Sequence, residues 1–328
     1  MDSRQPQRTV PAPLSRREFV SRLAAAGAGG GLLSAAFAGC SLTRSQRAEA
    51  TEAMVDQLGK LPKVRLGARM GNMRIAPVLV CQDSARELLG PSLAAGMNFI
   101  HKAGYWGEMP DELKKVPRES YFTDITVDST PDHPDDEDRA YNQVTESLAR
   151  NGFRYYDIFR AHYGWRSVRA LKEQNGTWRA FERLKREGKV RHFGVSQHDY
   201  IPYPEMIAAQ IADGRVASMQ VFFSYGSPQD VHDIFAAARK AGIGMTAMKV
   251  NANGRGRMGA DPEMQRKMRA PGMIGRSLLR YALTVPASDG KPIFHCCVSS
   301  LRNFGMFEEN VGAVAARTAS VDGFGATV

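Results

Sequence analysis

The chain has 328 residues, and 43% of them are hydrophobic, which is enough apolar material for one large domain or two small ones. Aromatic residues make up 9% and charged residues 24%, a composition that excludes disorder over most of the chain and excludes a multi-span membrane protein. The net charge is +10, of which the first 38 residues carry +3. No basic run with interleaved aromatics occurs, so we expect a small-molecule ligand and no nucleic acid.

The first 40 residues have the features of an export signal. Residues 15–20, with the sequence SRREFV, resemble the twin-arginine motif, and a weakly apolar run follows over residues 23–38. That run is short for a membrane span. Residues 36–38 fit a signal-peptidase site, whereas residues 37–40 form an imperfect lipobox ending at Cys40. Both periplasmic release and a lipid anchor at Cys40 therefore stay open.

Export by the twin-arginine machinery predicts that the arginine pair is required. We expect replacement of both Arg16 and Arg17 by Lys to retain the protein in the cytoplasm, because a recognised guanidinium is not replaced by an ammonium. Cell fractionation measures this, with Arg4→Lys and Arg8→Lys as the matched control, and unchanged export contradicts the signal. Labelling with a lipid precursor before and after Cys40→Ala distinguishes the two processing routes.

Eight β-rich runs alternate with helical patterns after a polar linker at residues 41–60. The runs are residues 75–81, 98–103, 121–127, 155–161, 190–195, 217–223, 242–248 and 292–298. Their number and spacing predict an α/β fold, a (β/α)8 TIM barrel over residues 61–328. A doubly wound sheet is the alternative, but no G-x-G-x-x-G follows the first run.

Several helix ends can be predicted from the same pattern. Ser84 with Glu87 predicts a capping box, and Gly96 predicts the end of that helix. Acidic residues at 135–138 favour the start of another helix, which Gly152 ends.

The four cysteines, Cys40, Cys81, Cys296 and Cys297, are too few and too unevenly spaced for a disulfide framework or a zinc site. His295, Cys296 and Cys297 are consecutive, but neighbours on a strand point to opposite faces and do not converge on one ion. We therefore predict core packing for them and no bound metal.

In a barrel of this type the reactive groups gather at the carboxyl ends of the strands. The polar residues predicted there are His101, Lys102, Tyr105, Trp106, Thr126, Asp128, His162, Tyr163, Ser196, Gln197, His198, Ser224, Tyr225, Lys249, Asn251, Ser299, Ser300 and Arg302. This set is poor in carboxylates. It disfavours a two-carboxylate glycosidase and a divalent-metal hydrolase.

Five segments, in order, are similar to those of a known family. They are residues 96–100 (GMNFI), 156–162 (YDIFRAH), 188–196 (GKVRHFGVS), 242–249 (GIGMTAMK) and 302–310 (RNFGMFEEN). On these segments the chain resembles the aldo/keto reductases. The resemblance implies a barrel that binds an extended nicotinamide dinucleotide and interconverts a carbonyl and an alcohol.

This sequence departs from the family pattern at the reaction centre. The family's centre uses an Asp, a Tyr, a Lys and a His. His101 stands at the Asp position, Trp106 at the Tyr position and Thr126 at the Lys position, and His162 alone is kept. A Trp N–H only donates and does not titrate near neutrality, so it cannot serve as a general acid.

Two replacements for the missing acid are open. Tyr105 is adjacent in sequence to the vacant position, with Lys102 able to lower the pKa of a phenol. His101 is the other candidate, acting with His162 as an acid/base pair.

The family's cofactor-binding positions are better retained in this sequence than its catalytic positions. The resemblance assigns Ser196, Gln197 and Gln220 to the nicotinamide, and Lys249, Arg302 and Asn310 to the remainder of the nucleotide, favouring NADP over NAD. We therefore expect an NAD(P)-dependent oxidoreductase with a remodelled centre. A catalytically silent ligand- or partner-binding barrel, or a His-based isomerase or lyase, is the alternative.

Overall fold

The computed structural model describes residues 60–102, 109–128, 136–162, 164–197, 203–224, 227–250 and 275–315. Eight parallel strands close into a barrel in which the last strand pairs with the first. They are β3 (Val78–Val80), β4 (Phe99–Ile100), β5 (Phe122–Asp128), β6 (Tyr156–His162), β7 (Val190–Gln197), β8 (Ser218–Phe222), β9 (Gly244–Met248) and β10 (Cys296–Ser299). The predicted (β/α)8 TIM barrel is confirmed.

Helices connect the strands and pack against the outside of the barrel. They are α1 (Leu89–Ala94), α2 (Asp111–Lys114), α3 (Glu137–Asn151), α4 (Val168–Glu173), α5 (Gly176–Arg186), α6 (Tyr203–Asp213), α7 (Gln229–Lys240), α8 (Gly275–Thr284) and α9 (Phe304–Ala315). Their apolar faces cover outward-facing strand residues such as Phe159, Phe193 and Val221 in one continuous core. Within the described ranges, no helix combines the length and apolar character needed to cross a membrane.

A short antiparallel hairpin, β1 (Val64–Arg65) and β2 (Arg74–Ile75), precedes the barrel. Leu66 and Met70 lie between these two strands and are buried against Leu79, Phe99 and Ile158. This second core fills the lower barrel interior, at the amino ends of the strands. The hairpin therefore closes that end, and the open end is left for ligands.

Two local predictions are wrong. The run predicted at residues 75–81 divides at Pro77, which has no backbone N–H for a ladder bond, so that Ile75 belongs to the hairpin and β3 starts at Val78. The capping box at Ser84 does not form. The Ser84 hydroxyl instead accepts a hydrogen bond from the Leu301 backbone N–H at 3.0 Å, and it ties the first βα loop to the last.

The other predicted helix ends are confirmed. Asp136 caps α3 through a 3.0 Å hydrogen bond from the Arg139 N–H, and Gly152 ends it at a φ of 63°. Gly96 follows α1 at a φ of 90°. The proposed signal at residues 1–40 and the linker up to residue 59 lie outside the described residues.

Candidate active site

A cavity of about 450 Å³ lies at the carboxyl ends of the barrel strands. Its described lining consists of Cys81, Gln82, His101, Lys102, Thr126, His162, Ser196, Gln220, Met248, Lys249, Val250, Val298, Ser299, Ser300, Arg302 and Met306. These residues come from the carboxyl ends of all eight barrel strands and from the segments that follow them. The lining contains five basic or imidazole side chains and no carboxylate.

Most of the predicted site residues meet in this cavity. His101 and Lys102 follow β4, His162 ends β6, and the cofactor candidates Ser196, Gln220, Lys249 and Arg302 complete the set. Register pairs Ser196 with both His162 and Gln220 across neighbouring strands, which places these three side chains on one level of the barrel. Tyr105 and Trp106 lie outside the described residues.

Two predicted cofactor residues are not part of the described lining. Gln197 follows Ser196 on β7, and because neighbours on a strand face opposite ways, its fully buried side chain lies outside the cavity, close to Gly164. Asn310 lies on α9 and is buried. It reaches the site only indirectly, through a 3.2 Å hydrogen bond from the Ser299 hydroxyl to its Oδ1.

A buried charge network lies directly below the cavity floor. The His101 Nδ1 is 2.9 Å from both carboxylate oxygens of Asp124, and the Arg160 Nε donates to Asp124 Oδ2 at 2.7 Å. The backbone N–H of Lys102 donates to Asp124 Oδ1 at 2.8 Å. Both the Asp124 and the Arg160 side chains are fully buried. The carboxylate is therefore held by three donors, two from the segment that follows β4 and one from β6.

Strand geometry explains why these residues meet. Asp124 is two residues before Thr126 on β5, and Arg160 is two residues before His162 on β6, so each shares the inward face of the cavity residue above it. Gly194 on β7 provides the space: a Cβ there would lie 3.4 Å from Arg160 Nη1 and 3.0 Å from Ile158. The guanidinium also donates through Nη1 to the Val195 carbonyl at 3.2 Å.

The network fixes the ionisation of Asp124. Burial alone would raise its pKa, but the positive charges and hydrogen bonds of His101 and Arg160 outweigh burial and hold the pKa of this carboxyl well below its usual range. An ionised carboxylate only accepts hydrogen bonds. The proton in the His101–Asp124 contact is therefore on Nδ1 of the imidazole.

Lys102 and Lys249 have an unusual backbone conformation. Their φ angles are 53° and 58°, and within the described ranges they are the two residues other than glycine with a positive φ. Lys249 directly follows β9, Lys102 is the second residue after β4, and both line the cavity. Such strain costs about 1–3 kcal/mol and gathers at functional sites, where the surrounding structure enforces it.

Several residues of the lining carry buried polar atoms that lack a hydrogen-bond partner among the described residues. They include Thr126 Oγ1, Gln220 Oε1 and Gln82 Oε1. Gln220 is held from its other end, where Nε2 contacts the Met248 sulfur at 3.7 Å. A buried amide oxygen without a donor fits a ligand that carries N–H groups, and a carboxamide is such a ligand.

The described cysteines near the barrel's carboxyl end or in its core do not supply an activated thiol, and the described residues hold no metal site. Burial and the neighbouring Asp83 raise the pKa of the Cys81 thiol to about 12, so the reactive thiolate is scarce at neutral pH. Cys296 is buried and its sulfur lies 3.2 Å from the Thr246 hydroxyl, a core contact. Within the described part of the chain, no group of three His, Cys, Asp or Glu side chains is arranged to hold a metal ion.

Comparisons with known proteins agree with this architecture. The structure is similar to an aldo-keto reductase from Bacillus halodurans in its holo form, with a TM-score of 0.61 and 16% identity over 80% of this chain and 93% of that one. It is also similar to a putative aldo-keto reductase from Pseudomonas aeruginosa, with a TM-score of 0.59 and 15% identity over 79% and 98% of the two chains. For an aldo/keto reductase from Brucella melitensis these values are 0.54 and 17%, over 82% and 98%.

At such identities the solved structures establish the fold alone. Among curated proteins, no sequence matches this one significantly. The model of the aldo/keto reductase family, however, matches residues 70–290, which is more than half of the chain and includes seven of the eight barrel strands. The chain therefore belongs to the aldo/keto reductase family.

Proposed function

We propose that the cavity binds NADP(H) and that the protein reduces a carbonyl compound, or oxidises the corresponding alcohol, with a remodelled catalytic centre. The carrying observation is the composition of the lining: three Lys or Arg side chains, two His and several unpaired amide or hydroxyl oxygens at the strand ends, without a carboxylate. Such a surface suits a polyanionic dinucleotide.

The residues present fit a nicotinamide cofactor. Gln220 Oε1 and the Ser196 hydroxyl would hold the carboxamide, since both are at the buried end of the cavity. Lys249 and Arg302 would hold phosphate groups nearer the mouth, where Arg302 is largely exposed. When bound, the nicotinamide supplies or accepts a hydride.

The chain's own residues then orient the carbonyl and transfer a proton. His162 would hold the carbonyl oxygen, a role supported by its position at the end of β6 beside Ser196 in the cavity wall. His101 and Lys102 follow β4, two strands away from β6, and line the same cavity, so the positive charge of Lys102 would act inside it. Tyr105 stays a candidate acid from the adjoining segment.

We expect the nucleotide to bind measurably to the purified protein, by fluorescence titration with NADPH and NADP. Ser196→Ala and Gln220→Ala should each weaken binding about fivefold, which corresponds to about 1 kcal/mol for one hydrogen bond. Ser218→Ala is the matched control, because Ser218 is a buried residue of β8 below the cavity, with an unpartnered hydroxyl among the described residues. Absence of nucleotide binding to the native protein would contradict the proposal and favour a silent barrel.

The location is part of the same proposal. The export signal in residues 1–40 would place a folded, cofactor-loaded protein in the periplasm, free or anchored by a lipid at Cys40. The substitutions of Arg16, Arg17 and Cys40 described above test this.

A further inference from the structure

The buried network below the cavity contains two residues, Asp124 and Arg160, that the family resemblance does not assign to any role. We propose that Asp124 is a positioning residue that holds His101 with its proton on Nδ1, so that Nε2 exchanges a proton with the substrate oxygen. The proposal rests on the proposed function, because it concerns the proton-transfer half of that reaction.

The geometry leaves one ring nitrogen of His101 for a ligand. His101 lines the cavity, while its Nδ1 lies 2.9 Å from a carboxylate that is fully buried beneath it. Nε2 is the other nitrogen of the ring. Asp124 is itself fixed by the Lys102 N–H and by Arg160, so the imidazole is held by a group that cannot rotate away.

The chemistry balances with the cofactor named above. In reduction, the hydride adds to the carbonyl carbon and forms a C–H bond, the C=O π bond breaks, and its electron pair goes to oxygen, which takes the proton from His101 Nε2. The carbonyl is reduced and the dihydronicotinamide is oxidised. The neutral imidazole regains its proton from water through the cavity. In the alcohol-oxidising direction each of these transfers runs in reverse.

Asp124 does more than orient the His101 ring, because its negative charge offsets the positive charges of the surrounding side chains. The charged or titratable groups that line the cavity with His101, or belong to the network below it, are Asp124 on β5, Arg160 and His162 on β6, Lys102 after β4, Cys81 after β3, Lys249 after β9 and Arg302 after β10. Among these described groups the aspartate carries the negative charge next to the ring. It stabilises the imidazolium that the reduction consumes, as the aspartate of an Asp–His pair does elsewhere.

The experiment compares two buried aspartates. Asp124→Asn keeps the shape of the side chain but removes its charge. Asp157→Asn is the matched control, because Asp157 is also buried and paired, with Arg118 at 2.7 Å and Arg191 at 3.0 Å, but lies at the opposite end of the barrel, outside the described lining. Turnover and KM are measured across pH for both variants, together with the nucleotide dissociation constant and the unfolding midpoint.

For the native protein, turnover in the reducing direction should fall as the pH rises, because a ring that keeps its proton on Nδ1 can donate from Nε2 only as the imidazolium. In Asp124→Asn this limb should move to lower pH by about one unit, with turnover at neutral pH reduced about tenfold or more and nucleotide affinity unchanged. Asp157→Asn should keep the native profile even where its unfolding midpoint is lower. An unchanged profile in Asp124→Asn overturns the proposal.

Two further measurements do not depend on Asp124→Asn folding. His101→Gln leaves the Asp124–Arg160 pair in place, so it should fold and bind nucleotide, but lose turnover about 10²-fold. In the native protein without nucleotide, ¹⁵N shifts of the His101 ring, assigned by their loss in His101→Gln, should show the neutral form protonated on Nδ1. A ring protonated on Nε2 contradicts the proposal, and so does normal turnover in His101→Gln.

These outcomes separate the two proposals. If the native protein does not bind nucleotide, the proposed function fails, whatever His101 shows. If nucleotide binds and Tyr105→Phe, not His101→Gln, removes the activity, the acid is Tyr105 and only the present inference fails.

Discussion

Replacing Arg160 with Met is expected to lower the free energy of unfolding by about 3–5 kcal/mol, the cost of leaving a buried charge without its partner. Arg160 and Asp124 are both fully buried and lie 2.7 Å apart. After the change, Asp124 keeps His101 and the Lys102 N–H but loses its permanently charged partner. Methionine has about the length of the apolar part of the arginine side chain, so the loss of unfolding free energy reports the missing charge more than the missing volume.

The pH dependence gives this prediction a second readout. Because the pKa of Asp124 is held below its unfolded value, the network contributes stability above that unfolded value, about 3.9, and loses it as the pH falls through the folded value. The difference between the native protein and Arg160→Met should therefore be largest at neutral pH and smaller in acid.

Urea unfolding at pH 7 and at lower pH measures the difference. Arg169→Met is the control, since the Arg169 side chain is exposed and its Nε pairs with the exposed Glu173 carboxylate on the same helix at 2.9 Å. Exposed pairs of this kind contribute about 0–1 kcal/mol. A loss in Arg160→Met no larger than that of the control would show that Asp124 does not need its guanidinium partner.

The barrel could be predicted from the sequence because each of its eight strands is an apolar run between recognisable helix boundaries. The hairpin was not predicted, because β1 and β2 have two residues each and are too short to show a period. Pro77 was the available signal for the break between β2 and β3, since proline cannot donate to the ladder.

The cavity lining was largely predictable, because the rule that ligands meet the carboxyl ends of barrel strands needs only the strand ends. His101, His162 and Ser196 followed directly from it. The same rule missed Asp124 and Arg160, which lie one level deeper. The sequence pattern that could have identified them is the alternation of side chains along a strand. Each lies two residues before a predicted site residue, and side chains two residues apart on a strand share a face.

Gln197 shows the limit of a resemblance read residue by residue. Its neighbour Ser196 lines the cavity, but Gln197 extends β7 by one more residue and so faces away from it. The position at which β7 ends therefore decides which of the two side chains, Ser196 or Gln197, faces the cavity. A sequence match to the family does not contain that information.

Replacing Gly67 with Ala is expected to lower the free energy of unfolding by about 3 kcal/mol or more, from two separate causes. Gly67 has a φ of 72° and a ψ of 159°, a region that is essentially restricted to glycine and costs other residues about 1–3 kcal/mol. An added Cβ would also lie 2.7 Å from the Gly242 carbonyl oxygen and from the Gly244 nitrogen. Overpacking of this kind costs about 1–3 kcal/mol more.

The backbone around Gly67 has little freedom to relieve the overlap. The Gly242 carbonyl accepts a hydrogen bond from the Arg69 N–H at 2.8 Å, which fastens the hairpin turn to the start of β9. Gly71→Ala is the matched control: its φ is 59°, but no heavy atom lies within 4 Å of the added Cβ. Gly71→Ala should therefore lose only the part of the unfolding free energy that comes from the backbone conformation. Equal losses of unfolding free energy in the two variants would mean that the hairpin does not press against β9 as the structure has it.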